Sequence, residues 1–251
     1  MKPATSIEKV CKVFHAFRSK PSMGITEVAD RTGLLCSDVH RILRSLQHFG
    51  FVSQNPRTKK YELGLELLKL GHLVHERTEL CGVARPYMRL LSEAAQATAN
   101  LAVFDPQERE VLFVEQIDSP AEVQIRLRIG RRVSPHATSV GKVLLAHLDS
   151  ETVAAIVRDL GLPKITRYTI TDPAQFEKEL ETIRLQGYGA DREEAVIGAC
   201  CMGAPVRNHE GKVVAAVSIS MMAAHVSRAE EPQLASLVKT AGANISKALG
   251  Y

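Results

Sequence analysis

The sequence predicts an α+β fold in two parts joined by a helix. The first part is a small helical module with a β-hairpin; the second is a larger α/β body with a mostly antiparallel sheet. Three observations carry this. Residues 1–64 hold 11 Lys/Arg against 5 Asp/Glu, whereas residues 65–251 hold 21 against 23, so a basic module precedes a slightly acidic body. Within the module, apolar residues recur three times at helical spacing and are followed by two short runs around a turn. Within the body, strand patterns form an early and a late group around a helical middle, which favours antiparallel α+β over a doubly wound sheet.

Composition sets the bounds. With 251 residues, 45% apolar and 24% charged, the chain is globular and long enough for about two domains. No apolar run approaches the roughly 18 residues of a membrane span. The start, MKPATSIEKVCKVF, lacks the apolar core and cleavage site of a signal peptide, so a cytoplasmic protein without membrane attachment is expected. Five cysteines, in no CxxC pattern, indicate neither a disulfide framework nor a zinc site. No metal or cofactor is expected.

In the basic module, Ile7, Val10, Cys11, Phe14 and Phe17 space a helix over Ser6–Phe17. SKPSMG is a loop, and Ile25–Arg31 is a short helix closed by Thr32-Gly33, where Gly33 can supply a positive φ. Ser37 sits as an N-cap with Asp38 in the first turn, and Val39, Ile42, Leu43 and Leu46 stripe a third helix ending near Gly50. Its opposite face carries Ser37, His40, Arg41, Arg44 and Gln47, side chains that donate to phosphates and base edges. Two short helices about a tight turn, the second donor-rich, suit a recognition helix in a major groove. Phe51–Gln54 and Tyr61–Leu63 then read as strands around NPRTKK, a hairpin whose tip carries Arg57, Lys59 and Lys60. A basic charge alone also fits a solvated surface; a cationic hairpin directly after a helix-turn-helix weighs against that.

The stretch ITEVADRTGLLCSDVHRILRSLQHFGFVSQNPRTKKYELG resembles the N-terminal domain of the IclR family of bacterial transcriptional regulators, through its Val-His-Arg-Ile-Leu core and closing Tyr61–Gly64. It departs from the family pattern at Cys36, where a polar residue is usual at the start of the recognition helix.

Leu65–Val74 follows, apolar at Leu65, Leu67, Leu68, Leu70, Leu73 and Val74. That is wider than one helix face, so two surfaces are expected to be covered, either by a second subunit as well as its own chain, or within one chain. Val83–Ala97 reads as another helix with Pro86 near its first turn. In the body, strands are expected at Thr98–Phe104, Glu110–Ile117, Glu122–Ile129, Gly198–Arg207 and Lys212–Met221. Helices are expected at Ser139–His147, Glu151–Leu160, Pro173–Gln186 and Ser227–Leu249, the last with Ser227 as N-cap. Domain limits fall at 1–64, a connector at 65–79, and 80–251.

At Thr138-Ser139-Val140-Gly141-Lys142 a helix opens after a loop, so free N–H groups converge on a natural seat for a carboxylate, or are simply capped by Thr138 or Ser139. Ser218 and Ser220 lie two apart and share a strand face, as pocket groups or as satisfied core serines. Three further stretches resemble IclR signatures: His136–Ala146, Asp191 through Cys201 to Pro205-Val206, and Val214–Ser220. The resemblance thus spans nearly the whole chain. It implies a winged helix-turn-helix plus a GAF-like effector-binding domain that holds a small organic acid. Carried over, the contacts are the backbone of Ser139 and Val140, then Asp191, Cys201, Ser218 and Ser220, with Ile125 as apolar wall. It also implies a homodimer or homotetramer on palindromic double-stranded DNA. Cys200 should face away from Cys201, and Asp191 needs a hydroxyl, a water or its own proton to sit beside an anion.

Two other classes compete. An enzyme would use Cys201 or Ser220 as nucleophile and His136 or His225 as base. The cysteine lies in an apolar strand rather than at a helix N-terminus, and no GxSxG elbow occurs, so the sequence argues against it. A metal or redox sensor on Cys200-Cys201 would need adjacent strand residues, on opposite faces, to chelate together.

Overall fold

The computed structural model describes residues 5–77, 79–121, 124–125, 128–227 and 229–251; in 72–77 and 79 the backbone alone is described. The chain divides into two compact units at Arg77.

The first unit opens with helix α1, Ser6–Ala16. Thr5 and Glu8 close a capping box: Thr5 Oγ1 accepts from the Glu8 N–H at 3.2 Å, and Glu8 Oε2 accepts from the Thr5 N–H. A two-residue strand β1 (Ser22–Met23) leads into α2 (Ile25–Thr32), which ends at Gly33 with φ +67°, as the sequence predicts. Helix α3 spans Cys36–His48. Its N-cap is Leu35, with no side-chain cap, so the expectation for Ser37 is corrected: it sits inside the first turn and is exposed. Strands β2 (Val52–Gln54) and β3 (Tyr61–Leu63) pair antiparallel, and β1 adds to the outer edge of β3. Val13, Phe17, Met23, Val28, Val39, Leu43, Val52 and Tyr61 form its core. Gly64 is required where the hairpin returns, because a Cβ there would overlap the backbone of Gly50 and Phe51. Helix α4 (Leu65–Arg77) leaves Leu65 and Leu68 76% and 70% exposed, so this unit by itself leaves an apolar surface of α4 uncovered.

The second unit begins with α5, Glu79–Ala95. It starts four residues earlier than expected, which puts Pro86 in the interior rather than the first turn. Strands β4 (Thr98–Asp105) and β5 (Glu110–Ile117) match the sequence reading closely. The expected strand at 122–129 is not found: Gln124, Ile125 and Arg128 are irregular, Ile129 turns, and 122, 123, 126 and 127 lie outside the described residues. A short β6, Arg132–Val133, pairs with β5 instead. After a 3₁₀ turn at Pro135–Ala137 come α6 (Ser139–Ala146), α7 (Ser150–Leu160) and α8 (Pro173–Gln186). Three strands follow: β7 (Gly189–Arg192), which the sequence reading missed, β8 (Ala199–Arg207) and β9 (Val213–Met222). The final helix α9 is Glu231–Ala248. Ser227 does not cap it; Ser227 donates to Glu230, and Glu230 is the N-cap.

The six strands form one antiparallel sheet in the order β6-β5-β4-β9-β8-β7. One face, through Ala99, Leu101, Met202, Ala204, Val217 and Ile219, packs under α5 and α9. The other face carries Ala102 and Ala216 against α6 and α8. Alternation along the strands separates the two cores and leaves the polar strand positions on the α6 side.

Candidate functional sites: a donor-rich helix face and a polar cavity

On the first unit, Val39 and Leu43 anchor α3 while Ser37, His40, Arg41, Arg44 and Gln47 all stand exposed on the other side. Asp38 steadies the helix: its carboxylate takes Lys9 of α1 at 2.7 Å and Arg41 at 3.3 Å. The Lys9 bond holds that carboxyl below its ordinary range. Arg41 is 77% exposed despite this pair. In the hairpin, Asn55 Oδ1 accepts from the N–H groups of Arg57 (2.9 Å) and Thr58 (3.1 Å), and Lys59 takes φ +58°. This tight turn lifts the Arg57 and Lys59 side chains into solvent. Lys60 differs from its neighbours: its ammonium lies 3.5 Å from Glu27 of α2. Glu27 also takes Lys20 and the Gly24 N–H, which together bring its carboxyl down to about 2. Lys60 thus ties the hairpin to α2 in addition to adding charge.

In the second unit a cavity of about 60 Å³ lies under α6. All seven residues expected from the sequence line it: Ile125, Ser139, Val140, Asp191, Cys201, Ser218 and Ser220. Strand register explains why. Asp191, Cys201, Ser220 and Thr98 are successive cross-strand partners on β7, β8, β9 and β4. Gly203, Ser218 and Asn100 form the next row on the same face. A Cβ at Gly203 would stand 3.3 Å from Ser218 Cβ and 3.5 Å from Ser139 Oγ, so the N-terminus of α6 lies close to the sheet at this row. Thr138 caps α6 by accepting from the Gly141 N–H at 3.2 Å. The N–H groups of Ser139 and Val140 take no acceptor among the described residues.

Asp191 is buried, and burial lifts its carboxyl to about 7. Its Oδ1 accepts from the N–H groups of Glu194 (2.7 Å) and Ala195 (3.3 Å). Cys201 gives its S–H to Ser220 Oγ at 3.2 Å, and burial pushes its thiol up to about 12. Cys200 is absent from the cavity and pairs in register with Arg192 and Met221, on the opposite strand face. His136 reaches the Pro163 carbonyl at 3.0 Å, and His225 lines a different cavity, about 480 Å³, beside Met221 and Met222.

Sequence reasoning missed several participants. Arg131 lines the cavity and brings the only cation among its described walls. Phe113, Val133, Val196 and Ala199 add apolar surface. Lys142 is wholly buried and pairs with Glu194 and Glu179. Only the three-dimensional return of the 193–198 loop onto α6 reveals it. Among the described residues no group of three or more potential metal ligands occurs, and no helix is long and apolar enough to cross a membrane.

Residues 72–247 match the family model of the bacterial transcriptional regulator IclR C-terminal domain, and residues 6–56 match that of the IclR helix-turn-helix domain. The HTH-type transcriptional regulator XynR of Escherichia coli is 33% identical over 98% of this chain and 97% of its own length. The regulator KdgR of Dickeya chrysanthemi is 34% identical over 98% of this chain and 80% of its own. Among solved structures, an IclR homolog of Microbacterium hydrocarbonoxydans complexed with 4-hydroxybenzoate aligns with TM-score 0.85 and 26% identity, over 98% of this chain and 99% of that one.

Proposed function

The chain belongs to the IclR family of bacterial transcriptional regulators, and on that premise we propose how its two units share the work. It is a DNA-binding regulator whose C-terminal domain responds to a small-molecule effector. Ser37, His40, Arg41 and Arg44 read base edges and nearby phosphates in a major groove, while Arg57, Lys59 and Lys60 of the hairpin track the backbone. A homodimer, or a pair of dimers, places two such modules on a palindromic operator in the cytoplasm. The connector at 65–79 joins the modules to the bodies, and the uncovered leucines of α4 supply a surface for pairing.

The effector is a small carboxylate held in the α6 cavity by Ser139, Val140, Asp191, Cys201, Ser218 and Ser220, with Ile125 as wall. One observation carries this reading: the polar groups facing the cavity are mainly donors. Residues bearing two uncapped N–H groups, serine hydroxyls, a guanidinium and a carboxyl that burial lifts to about 7 line a space otherwise walled by apolar side chains. Asp191, awkward beside an anion if ionised, fits once its proton is retained. Effector binding alters DNA affinity through its different affinity for two arrangements of the body. An enzymatic role for Cys201 is disfavoured, because a thiol held near 12 inside a strand is not a nucleophile.

A thermal-shift screen of small carboxylic acids, followed by gel retention on duplexes from the chain's own genomic neighbourhood, tests both halves. A stabilising acid that also changes retention supports the reading. Acids that stabilise Ser218→Ala/Asp191→Asn as strongly as the wild type would remove the cavity from it.

A further inference from the structure

Ser220 stands on the cavity floor with both of its acceptor positions occupied. Asn100 Nδ2 donates to Ser220 Oγ at 3.1 Å, and Cys201 Sγ donates to the same oxygen at 3.2 Å. A serine hydroxyl has two lone pairs and one O–H. With both lone pairs taken, Ser220 can act only as a donor, and its O–H has no acceptor among the described residues while its side chain lines the cavity. Asn100 belongs to β4, is fully buried, and does not itself line the cavity. It reaches Ser220 diagonally, since its direct cross-strand partner is Ser218. The amide's own Oδ1 is buried with no hydrogen-bond partner among the described residues, and so is Thr98 Oγ1 beside it. A buried carbonyl without a partner is destabilising, a cost that the fold tolerates while keeping the N–H₂ turned toward Ser220.

We propose that Asn100 is a positioning residue that fixes Ser220 as an obligate hydrogen-bond donor, so that the cavity selects ligands presenting an oxygen acceptor there and rejects those presenting an N–H. This rests on the effector reading of the cavity and sharpens it. Ser139 and Val140, whose N–H groups take no acceptor among the described residues, also line the cavity, so donors are available for both oxygens of a carboxylate. A void of about 60 Å³, at roughly 10–15 Å³ per water-sized atom, holds a ligand of about four to six non-hydrogen atoms. Acetate is the minimal probe, and acetamide is its near-isostere with one oxygen replaced by N–H₂.

The test is a thermal-shift titration of the full chain with sodium acetate or with acetamide, sodium chloride equalising ionic strength. The wild type should bind acetate at least about tenfold more tightly than acetamide, the worth of one well-placed hydrogen bond. In Asn100→Ala a lone pair of Ser220 is released, so acetate weakens, acetamide strengthens, and the ratio falls toward one. Asn100→Asp places an acceptor behind Ser220, draws its O–H away from the cavity and abolishes the acetate shift. A merely structural role for Asn100 would lower both affinities together and keep their ratio. Equal binding of the two probes by the wild type, or an Asn100→Ala variant with the wild-type ratio, overturns the proposal. Equal binding by the wild type overturns the proposal even if a variant does not fold. Should acetate leave the wild type unmoved while no other small acid stabilises it, the effector reading itself falls; discrimination that survives Asn100→Ala removes only the role of Asn100.

Discussion

Lys142 Nζ lies 2.6 Å from Glu194 Oε1 and 3.0 Å from Glu179 Oε1, with its side chain 1% exposed. This buried ammonium joins α6, whose N-terminus faces the cavity, to the loop after Asp191 and to α8. Replacing only Lys142, as in Lys142→Met, strands Glu194 in a dry site and should cost about 3–5 kcal/mol. Lys142→Met/Glu194→Gln should recover much of that loss, because the uncompensated charge is gone. Urea denaturation of both variants measures it; equal losses in the two would show that packing rather than charge pairing holds this junction.

Asp191 makes a pH signature. Burial raises its folded-state pKa to about 7 from an ordinary 3.8. A carboxyl raised on folding favours the folded state below the ordinary value, and that contribution is lost as pH climbs toward 7. Stability should therefore fall between about pH 4 and 7, by at most about 1.4 kcal/mol per pH unit from this group. Asp191→Asn keeps an oxygen for the Glu194 and Ala195 N–H groups and should flatten that slope. Acid binding should follow the same proton, weakening above pH 7 in the wild type and staying level in the variant. Urea melts and calorimetric titrations at pH 5.5 and 8 read both effects.

Arg44 and Arg57 should separate specificity from general affinity. Arg44 stands on the exposed face of α3 with no ion pair among the described residues, and Arg57 sits at the hairpin tip. Arg44→Ala should cost about 1–3 kcal/mol on the cognate duplex and much less on random sequence. Arg57→Ala should weaken both alike and reduce the slope of log K against log salt by about one. Anisotropy titrations across salt concentrations distinguish them.

Gly203 measures how closely α6 must approach the sheet. A methyl group at this position meets Ser218 Cβ at 3.3 Å and Ser139 Oγ at 3.5 Å. Gly203→Ala should narrow the cavity and lower acid affinity about tenfold or more, with a stability cost of about 1–3 kcal/mol from overpacking. Affinity that is unchanged would mean that α6 shifts freely there.

The features legible in the sequence were those written in local pattern. Gly33, the α3 stripe of Val39 and Leu43, and the Asn55-to-Lys60 turn each obey a short-range rule, and each element lies where expected. The seven cavity residues were named through family resemblance, and spacing supplied only that Ser218 and Ser220 share a face. Failures occurred where distant contacts decide. Gly189–Arg192 has no β-branched residue, yet it becomes a strand because β8 offers an edge and Gly189 lets α6 come close. Ile125 alternates like a strand residue, but β5 pairs with Arg132–Val133 instead, and Ile125 reaches the cavity from irregular backbone. Asn100 is one polar residue in an apolar strand pattern, and only the register of β4 against β9 makes it a neighbour of Ser220.

The most direct test of linked DNA grip and acid sensing is an anisotropy titration. A labelled duplex from the chain's own genomic neighbourhood is held by the full-length protein at low ionic strength, and a small carboxylic acid identified by thermal shift is added. The wild type should hold the duplex and change its affinity severalfold as acid is added, while Ser218→Ala/Asp191→Asn should hold it equally well and ignore the acid. No retention by the wild type, or an undiminished response in the double variant, would contradict the account.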